Sequence, residues 1–243
     1  MIAAAIVIVT LQSLLSLAML VHGFLQLSLA GSYLLAERRG RPAIAAALPD
    51  PLPMVTVQLP IFNEVAVIER LIDAVAGLRY PRDRLQVQVL DDSNDATVEV
   101  VKTRVAEWSR QGLDIQHVRR SHRAGYKAGA LNNGLASAKG ELIAIFDADF
   151  LPQADFLRRV VPAFEDTQVG MVQTRWGHAN AGQSLLTRIQ QFLLDTHFAI
   201  EQVGRAEQGC FINFNGSGGV WRAATIHDAG CWDSATQIGR AHV

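Results

Sequence analysis

Two cysteines in 243 residues, Cys210 and Cys231, leave nothing for a disulfide framework and little for a thiolate metal site. They form no CxxC pair and sit at no His-rich ligand spacing, so both are expected to be buried thiols. Net charge is missing too: 22 Lys and Arg against 23 Asp and Glu leave −1. That removes the basic stripe a nucleic-acid partner would want, and no such partner is expected. Neither GxGxxG nor GxxxxGK[ST] occurs, so a Rossmann cofactor loop and a P-loop lack their defining glycines. No internal repeat and no low-complexity segment interrupts the chain. The sharpest absence is local: from Met1 to Leu35 there is no Lys, Arg, Asp or Glu.

An uncharged run of that length exceeds the roughly 20 apolar residues that cross a bilayer. A cleaved signal peptide would have a basic start and an apolar core of roughly 7–15 residues, and the segment has neither. Gln12, Ser13, Ser16, His22 and Gln26 interrupt it, tolerably for one span and more comfortably with helices packed alongside. Arg38, Arg39 and Arg41 follow, whereas only the terminal amine precedes. The positive-inside rule then puts the N-terminus outside and everything after residue 36 in the cytoplasm. Residues 1–36 are therefore expected to be a transmembrane anchor in the lipid bilayer. The basic, then Ala- and Pro-containing stretch 37–53 is expected to be a cytoplasmic linker.

The rest, about 200 residues, suffices for one domain with a full core. "MVTVQLP" (54–60) reads as a buried strand ended by Pro60. Residues 64–78 carry apolar positions at helical spacing. "LQVQVLDD", "LDIQHV" and "ELIAIFDAD" read as further strands, separated by helices in "ATVEVVKTRVAEWSRQ" and "AGYKAGALNNGLASA". Residues 154–165 read as helix and "VGMVQTRW" as one more strand. Such alternation predicts an α/β fold with a mostly parallel central sheet and right-handed crossovers. "SLLTRIQQFLLDTHFAIEQV" is an amphipathic helix whose apolar stripe suits the sheet or the bilayer equally.

Ligands of such sheets bind beyond the carboxyl ends of the strands, so polar residues there are read together. Asn63 and Glu64 follow the first strand, Asp91 and Asp92 end the second, and Asp147 and Asp149 follow the apolar run "ELIAIF". Residues i and i+2 of an extended segment share a face, so Asp147 and Asp149 are placed to share one hard divalent cation. The alternative is a solvated acidic turn. In "VLDDSND", Asn94 or Asp95 can cap the helix that starts near Ala96, which explains one acid but not the pair. Arg123, Gly125 and Lys127 open a helix, where backbone N–H groups and a point charge favour an anion; a merely solvated Lys is the plainer reading. "CFINFNGSGGVWR" is an apolar strand broken by a turn, or a backbone-lined surface with Trp221 as a flat platform for a sugar ring.

Taken together, "VTVQLPIFNE", "VQVLDDSND", "RAGYKAGALNNGL", "IAIFDADF", "VQTRWGHAN" and "FNGSGGVWR" resemble the family 2 glycosyltransferases. Within them, the membrane-embedded glucomannan and mannan synthase-like (cellulose synthase-like) branch is the most similar. The resemblance spans residues 54–236 and implies a GT-A fold with inverting transfer of a hexose from a nucleotide sugar, GDP-mannose or UDP-glucose. The acceptor it implies is a growing β-linked polysaccharide or a glycolipid. It implies Pro60, Phe62 and Glu64 beside the base or ribose, Asp91 as the base-contacting aspartate with Asp92 next to it, and Lys127 facing the diphosphate. Asp147 and Asp149 match the family's metal-binding DxD, which implies Mg²⁺ or Mn²⁺. Asn215, Gly216, Ser217 and Trp221 are implied on the acceptor side. Gln173-Thr174-Arg175-Trp176 is not the family's QxxRW motif, having one residue too few between Gln and Arg.

Inverting transfer needs a general base for the acceptor hydroxyl. The family resemblance implies an aspartate for that role, here expected beyond residue 237. The final six residues, Ile238 to Val243, match the translation of the start of a common short-read sequencing adapter. They are expected to be a non-native tail, and the chain a C-terminally truncated piece without its catalytic base. The contrasting expectation is a complete, non-catalytic, membrane-anchored protein that binds nucleotide sugars.

Overall fold

A computed structural model describes residues 2–40, 47–177 and 182–233. The expected tail at 238–243 lies outside the described residues, as do linker residues 41–46 and the end of the domain expected to close at 237. The described residues form two units, one from Met1–Pro42 with Arg175–Ile212 and one from Ala43–Thr174 with Asn213–Val243.

The larger unit grows from two strands that alternate apolar and polar residues yet are buried on both faces. These are β1 (Val55–Ile61) and β2 (Leu85–Asp91), which pair in parallel with Ile61 opposite Asp91. Parallel pairing continues to β3 (Asp114–Arg119) on the far side of β2, and to β4 (Leu142–Ile145) on the other side of β1. Two antiparallel strands, β6 (Gly219–Arg222) and β5 (Met171–Gln173), complete the order β3-β2-β1-β4-β6-β5. The expected α/β fold is present; the parallel part stops at four strands, and the outer pair makes the sheet mixed.

Val55, Val57, Leu59, Leu142 and Ala144 turn one face of the sheet toward α2 (Ile68–Ala76), α3 (Thr97–Arg110) and α5 (Phe156–Val160). Ile143, Ile145 and Trp221 face the opposite way, toward α4 (Tyr126–Leu135) and α8 (Ala223–Asp228). That division follows from the two-residue period of a strand. The helix expected over 154–165 is α5 continued by a tighter 3₁₀ turn, Val161–Glu165, at Pro162, which has no N–H to donate. The two cysteines correct the sequence reading: Cys210 is exposed and Cys231 half-buried.

In the smaller unit, α1 (Ile2–Arg39) is one apolar helix with no buried residue, and so a candidate membrane span. The expected amphipathic helix is α6 (Leu185–Asp195), a π-helical turn (Thr196–Gln202) and α7 (Val203–Glu207) in succession. Ser184 and Thr187 cap α6 reciprocally, each side chain accepting from the other's backbone N–H at 3.1 and 3.0 Å. The α6 stripe Leu185, Leu186, Ile189, Phe192 and Leu193 is exposed. On α7, a Cβ at Gly204 would overlap the Leu29 carbonyl of α1. Gln208 donates to Ser28 and Ser32 of α1 at 3.0 and 2.9 Å, and Arg39 pairs with Glu207.

Candidate active site

The chain runs outward from β1 to β2 and β3, then crosses back to β4, so the order of strands reverses between β1 and β4. Crevices of open α/β sheets form where the strand order reverses, beyond the carboxyl ends. A cleft of about 440 Å³ lies there. Pro60, Phe62 and Glu64 line it from the end of β1, Asp92 from β2, Lys127 from the first turn of α4, and Asp147 and Asp149 from beyond β4. With Arg123, from the loop before α4, eight of the residues singled out in the sequence thus meet at one opening.

Asp147 is the charge centre. Its backbone N–H donates to Ser217 Oγ at 2.8 Å, and its Oδ1 accepts from Lys127 Nζ. The same ammonium donates to the Gly216 carbonyl at 2.7 Å. Burial pushes the Asp147 carboxyl above its ordinary value and Asp149 pushes it further, while Lys127 pulls the other way without cancelling them. Two carboxylates served by one ammonium, one half-buried and one exposed at the cleft wall, are a donor set that fits a hard divalent cation. Among the described residues no group of three or more His, Cys, Asp or Glu stands ready as a metal cage. A hard cation here would complete its shell from water and ligand oxygens, as Mg²⁺ does when few carboxylates hold it.

Asp91 and Asp92 separate. The Asp91 side chain has no exposure; it accepts from Ser93 N at 2.8 Å and sits 2.7 Å from His117 Nε2. Burial raises its pKa, but the hydrogen bonds from His117 and Ser93 outweigh that and hold it below the ordinary value. Asp91 therefore belongs to the sheet, and Asp92 is the acid that reaches the cleft. Asp92 is gripped by Arg120, whose Nε and Nη2 donate to its two oxygens at 2.7 and 2.6 Å.

Asn215, Gly216 and Ser217 stand beside Asp147 rather than on the cleft wall. Gly216 has φ +85° and Ser217 is 1% exposed, its hydroxyl committed to the Asp147 backbone. Gln173 ties down the same loop, accepting from Asn215 N at 2.9 Å and donating to Ser217 O at 3.0 Å. Trp221 is not the platform expected of it. Register with β4 sets it opposite Ile143, and it packs edge-on against Phe214 and Trp232 at 4% exposure. The helix cap expected at Asn94 or Asp95 is not formed as such: the N-cap position of α3 is Ala96, which makes no side-chain cap bond, and Asp95 one residue earlier accepts from Thr97 N at 2.9 Å.

The sequence reading missed Arg120, His117 and Gln173. Arg119 and Arg120 end β3 as the acids end β2, so the same strand-end rule applied to "HVRR" would have found the arginine.

Residues 56–226 match the glycosyl transferase family 2 profile. Glucomannan 4-beta-mannosyltransferase 1 of Oryza sativa subsp. japonica is 44% identical over 191 residues, covering 76% of this chain and 37% of that protein. Glucomannan 4-beta-mannosyltransferase 2 of Arabidopsis thaliana is likewise 44% identical over 191 residues, 76% of this chain and 36% of that protein. The chain thus spans little more than a third of the curated relatives it matches. Among solved structures, mannosyltransferase PcManGT of Pyrobaculum calidifontis, in complex with GDP-Man and Mn²⁺, superposes with a TM-score of 0.67 at 28% identity, covering 88% of this chain and 58% of that one. TarS of S. aureus shares the fold at 16% identity and a TM-score of 0.55, over 77% of this chain and 32% of that one.

Proposed function

The chain belongs to glycosyl transferase family 2, and on that footing we propose that it serves metal-dependent, inverting transfer of a hexose from a nucleotide sugar to a growing β-linked polysaccharide. The observation that carries this is the convergence of Asp147, Asp149 and Lys127 at the strand-order reversal, in a chain 44% identical to glucomannan mannosyltransferases. GDP-mannose is favoured over UDP-glucose as donor by those relatives and by the GDP-Man complex of PcManGT.

In this reading Asp147 and Asp149 hold Mg²⁺ or Mn²⁺. Such an ion, when bound, neutralises charge on a diphosphate leaving group. Lys127 binds the diphosphate as a point charge. Phe62, Pro60, Glu64 and Asp92 border the nucleoside, and buried Asp91 fixes the strand end that carries Asp92. The loop of Asn215, Gly216 and Ser217 stands on the acceptor side and sets the Asp147 backbone. The general base implied beyond residue 237 lies outside the described residues. Residues 1–36 anchor the protein in a bilayer, 37–53 link, and 54–237 form the transferase domain in the cytoplasm.

The test is calorimetric titration of GDP-mannose into the detergent-solubilised chain, with and without Mn²⁺. Asp149→Asn is expected to remove the metal-dependent part of the affinity, a loss of at least about tenfold, the size of one charge-assisted contact. Its circular dichroism should be unchanged. Undiminished metal-dependent binding by that variant removes the metal assignment.

A further inference from the structure

The Arg120 guanidinium does more than pair with Asp92. Its Nη1 donates to the Ala124 carbonyl at 2.6 Å and its Nη2 to the Tyr126 carbonyl at 2.7 Å. One planar group therefore bridges the carboxyl end of β2 to the loop that enters α4. That loop is strained. Gly125 and Tyr126 are successive left-handed residues, φ +68° and +47°, and the conformation is uncommon for a residue with a Cβ. Burial does little to offset this at Tyr126, a residue 68% exposed with the Arg123 guanidinium 5.1 Å from its ring centroid. Strain of this kind persists only where the surroundings over-determine it.

Gly129 reports how tightly the surroundings do so. A Cβ there would overlap both the Ala124 carbonyl oxygen and Arg120 Nη1. The close approach of guanidinium, loop and helix thus requires glycine at that place. The residue directly after the strained pair is Lys127, the cation that meets Asp147.

We propose that Asp92, acting through Arg120, is a positioning residue: the clamp fixes the left-handed turn at Gly125-Tyr126 and thereby aims Lys127 at the diphosphate. The inference rests on the donor-site reading for the identity of the anion, but the clamp itself is independent of it. Arg is required because only a planar fork reaches two carboxylate oxygens and two carbonyls at once; Lys keeps the charge and loses the geometry.

Two substitutions test it, Arg120→Lys and Gly129→Ala, neither of which alters a residue assigned to touch the donor. Metal-free GDP and guanosine are titrated separately, and amide hydrogen exchange is followed across residues 121–129. Both variants are expected to lose about tenfold in GDP affinity while guanosine affinity stays within about twofold, since only the diphosphate contact is misaimed. Exchange should quicken at Gly129, whose N–H is bonded to Gly125 O at 2.9 Å, with the β1 and β2 amides unchanged. GDP affinity and loop exchange both at wild-type levels would overturn the proposal. Equal losses for GDP and guanosine would also overturn it, by showing that Arg120 acts through the placement of Asp92 beside the nucleoside and not through Lys127. If the unaltered chain binds neither ligand, the donor-site reading has failed instead, and loop exchange alone decides the clamp.

Discussion

Asp91 and Asp92 are adjacent in sequence and opposite in fate, because successive strand residues point to opposite faces. Asp91 points into the sheet, where His117 and Ser93 keep it ionised against its burial. A carboxylate whose folded pKa lies below its unfolded value of about 3.8 adds stability that is complete above that pH. The contribution is then lost as pH falls through the lower, folded value. Asp91→Asn should therefore unfold at lower urea than the wild type at pH 7, by about 1–3 kcal/mol. The gap should close in acid; a gap that stays constant into strong acid would assign the effect to shape rather than charge. The pair as such was legible, since two acids after an apolar run call for an explanation. Which acid faces the cleft was not, because that depends on partners 26 to 28 residues away across a strand register. Trp221 failed for the same reason: an aromatic after a glycine-rich turn looks presented, until its register with Ile143 turns it onto Phe214 and Trp232.

At the scale of elements, α4 is held by buried polar contacts as well as by the apolar packing of Ala130, Leu131 and Leu135. Thr56 and Gln58 on β1 and Gln86 and Gln88 on β2 are all fully buried on the face that α4 covers. Thr56 donates to Gln86 and Gln58 to Gln88, at 2.7 and 3.0 Å, and Gln88 donates to the Gly134 carbonyl and to Ser137 Oγ at 3.0 Å. The strand amides thus satisfy the last carbonyls of α4, which lack partners inside the helix. Gly134 makes room for this, since a Cβ there would overlap Gln58 Nε2 and Gln88 Oε1. Gln88→Leu leaves the Gly134 carbonyl only its bonds from Ser137, the shorter from Ser137 N at 3.2 Å, and the Gln58 amide only its 3.4 Å bond to the Leu131 carbonyl, at a cost of about 1–2 kcal/mol, read from the urea midpoint. A loss no larger than that of a surface substitution would show that water substitutes for the amide. Strand positions were legible here from the valines and leucines between the polar residues. The partner of the glutamines was not, because alternation alone reads as a half-solvated strand. Only the helix beyond supplies the carbonyls they need.

At the scale of the whole molecule, the question is what a 38-residue helix without a buried residue does. At 1.5 Å per residue α1 is about 57 Å long, nearly twice the roughly 30 Å hydrocarbon core of a bilayer. The surplus has a use within its own unit. From Ser28 to Arg39 the helix receives α7 through the close approach at Gly204, the Gln208 hydrogen bonds to Ser28 and Ser32, and the Arg39–Glu207 pair. That leaves residues 2–27, about 39 Å, as the stretch proposed to meet lipid. The two stretches should then respond differently to change. Gly204→Leu separates α7 from α1 without touching the apolar stretch, so the chain should stay in the membrane through an alkaline carbonate wash. Protease sensitivity around residues 203–212 should rise, because the packing that protects them is lost. Deleting residues 2–27 should release the protein into the wash while leaving Ser28, Ser32, Arg39 and their α7 partners in place. Retention of the deleted form after carbonate would move the anchoring to the exposed α6 stripe of Leu185, Leu186, Ile189, Phe192 and Leu193. Release of the Gly204→Leu form would mean that α1 holds the membrane only as part of a helix pair, so that packing against α7 and insertion are a single event.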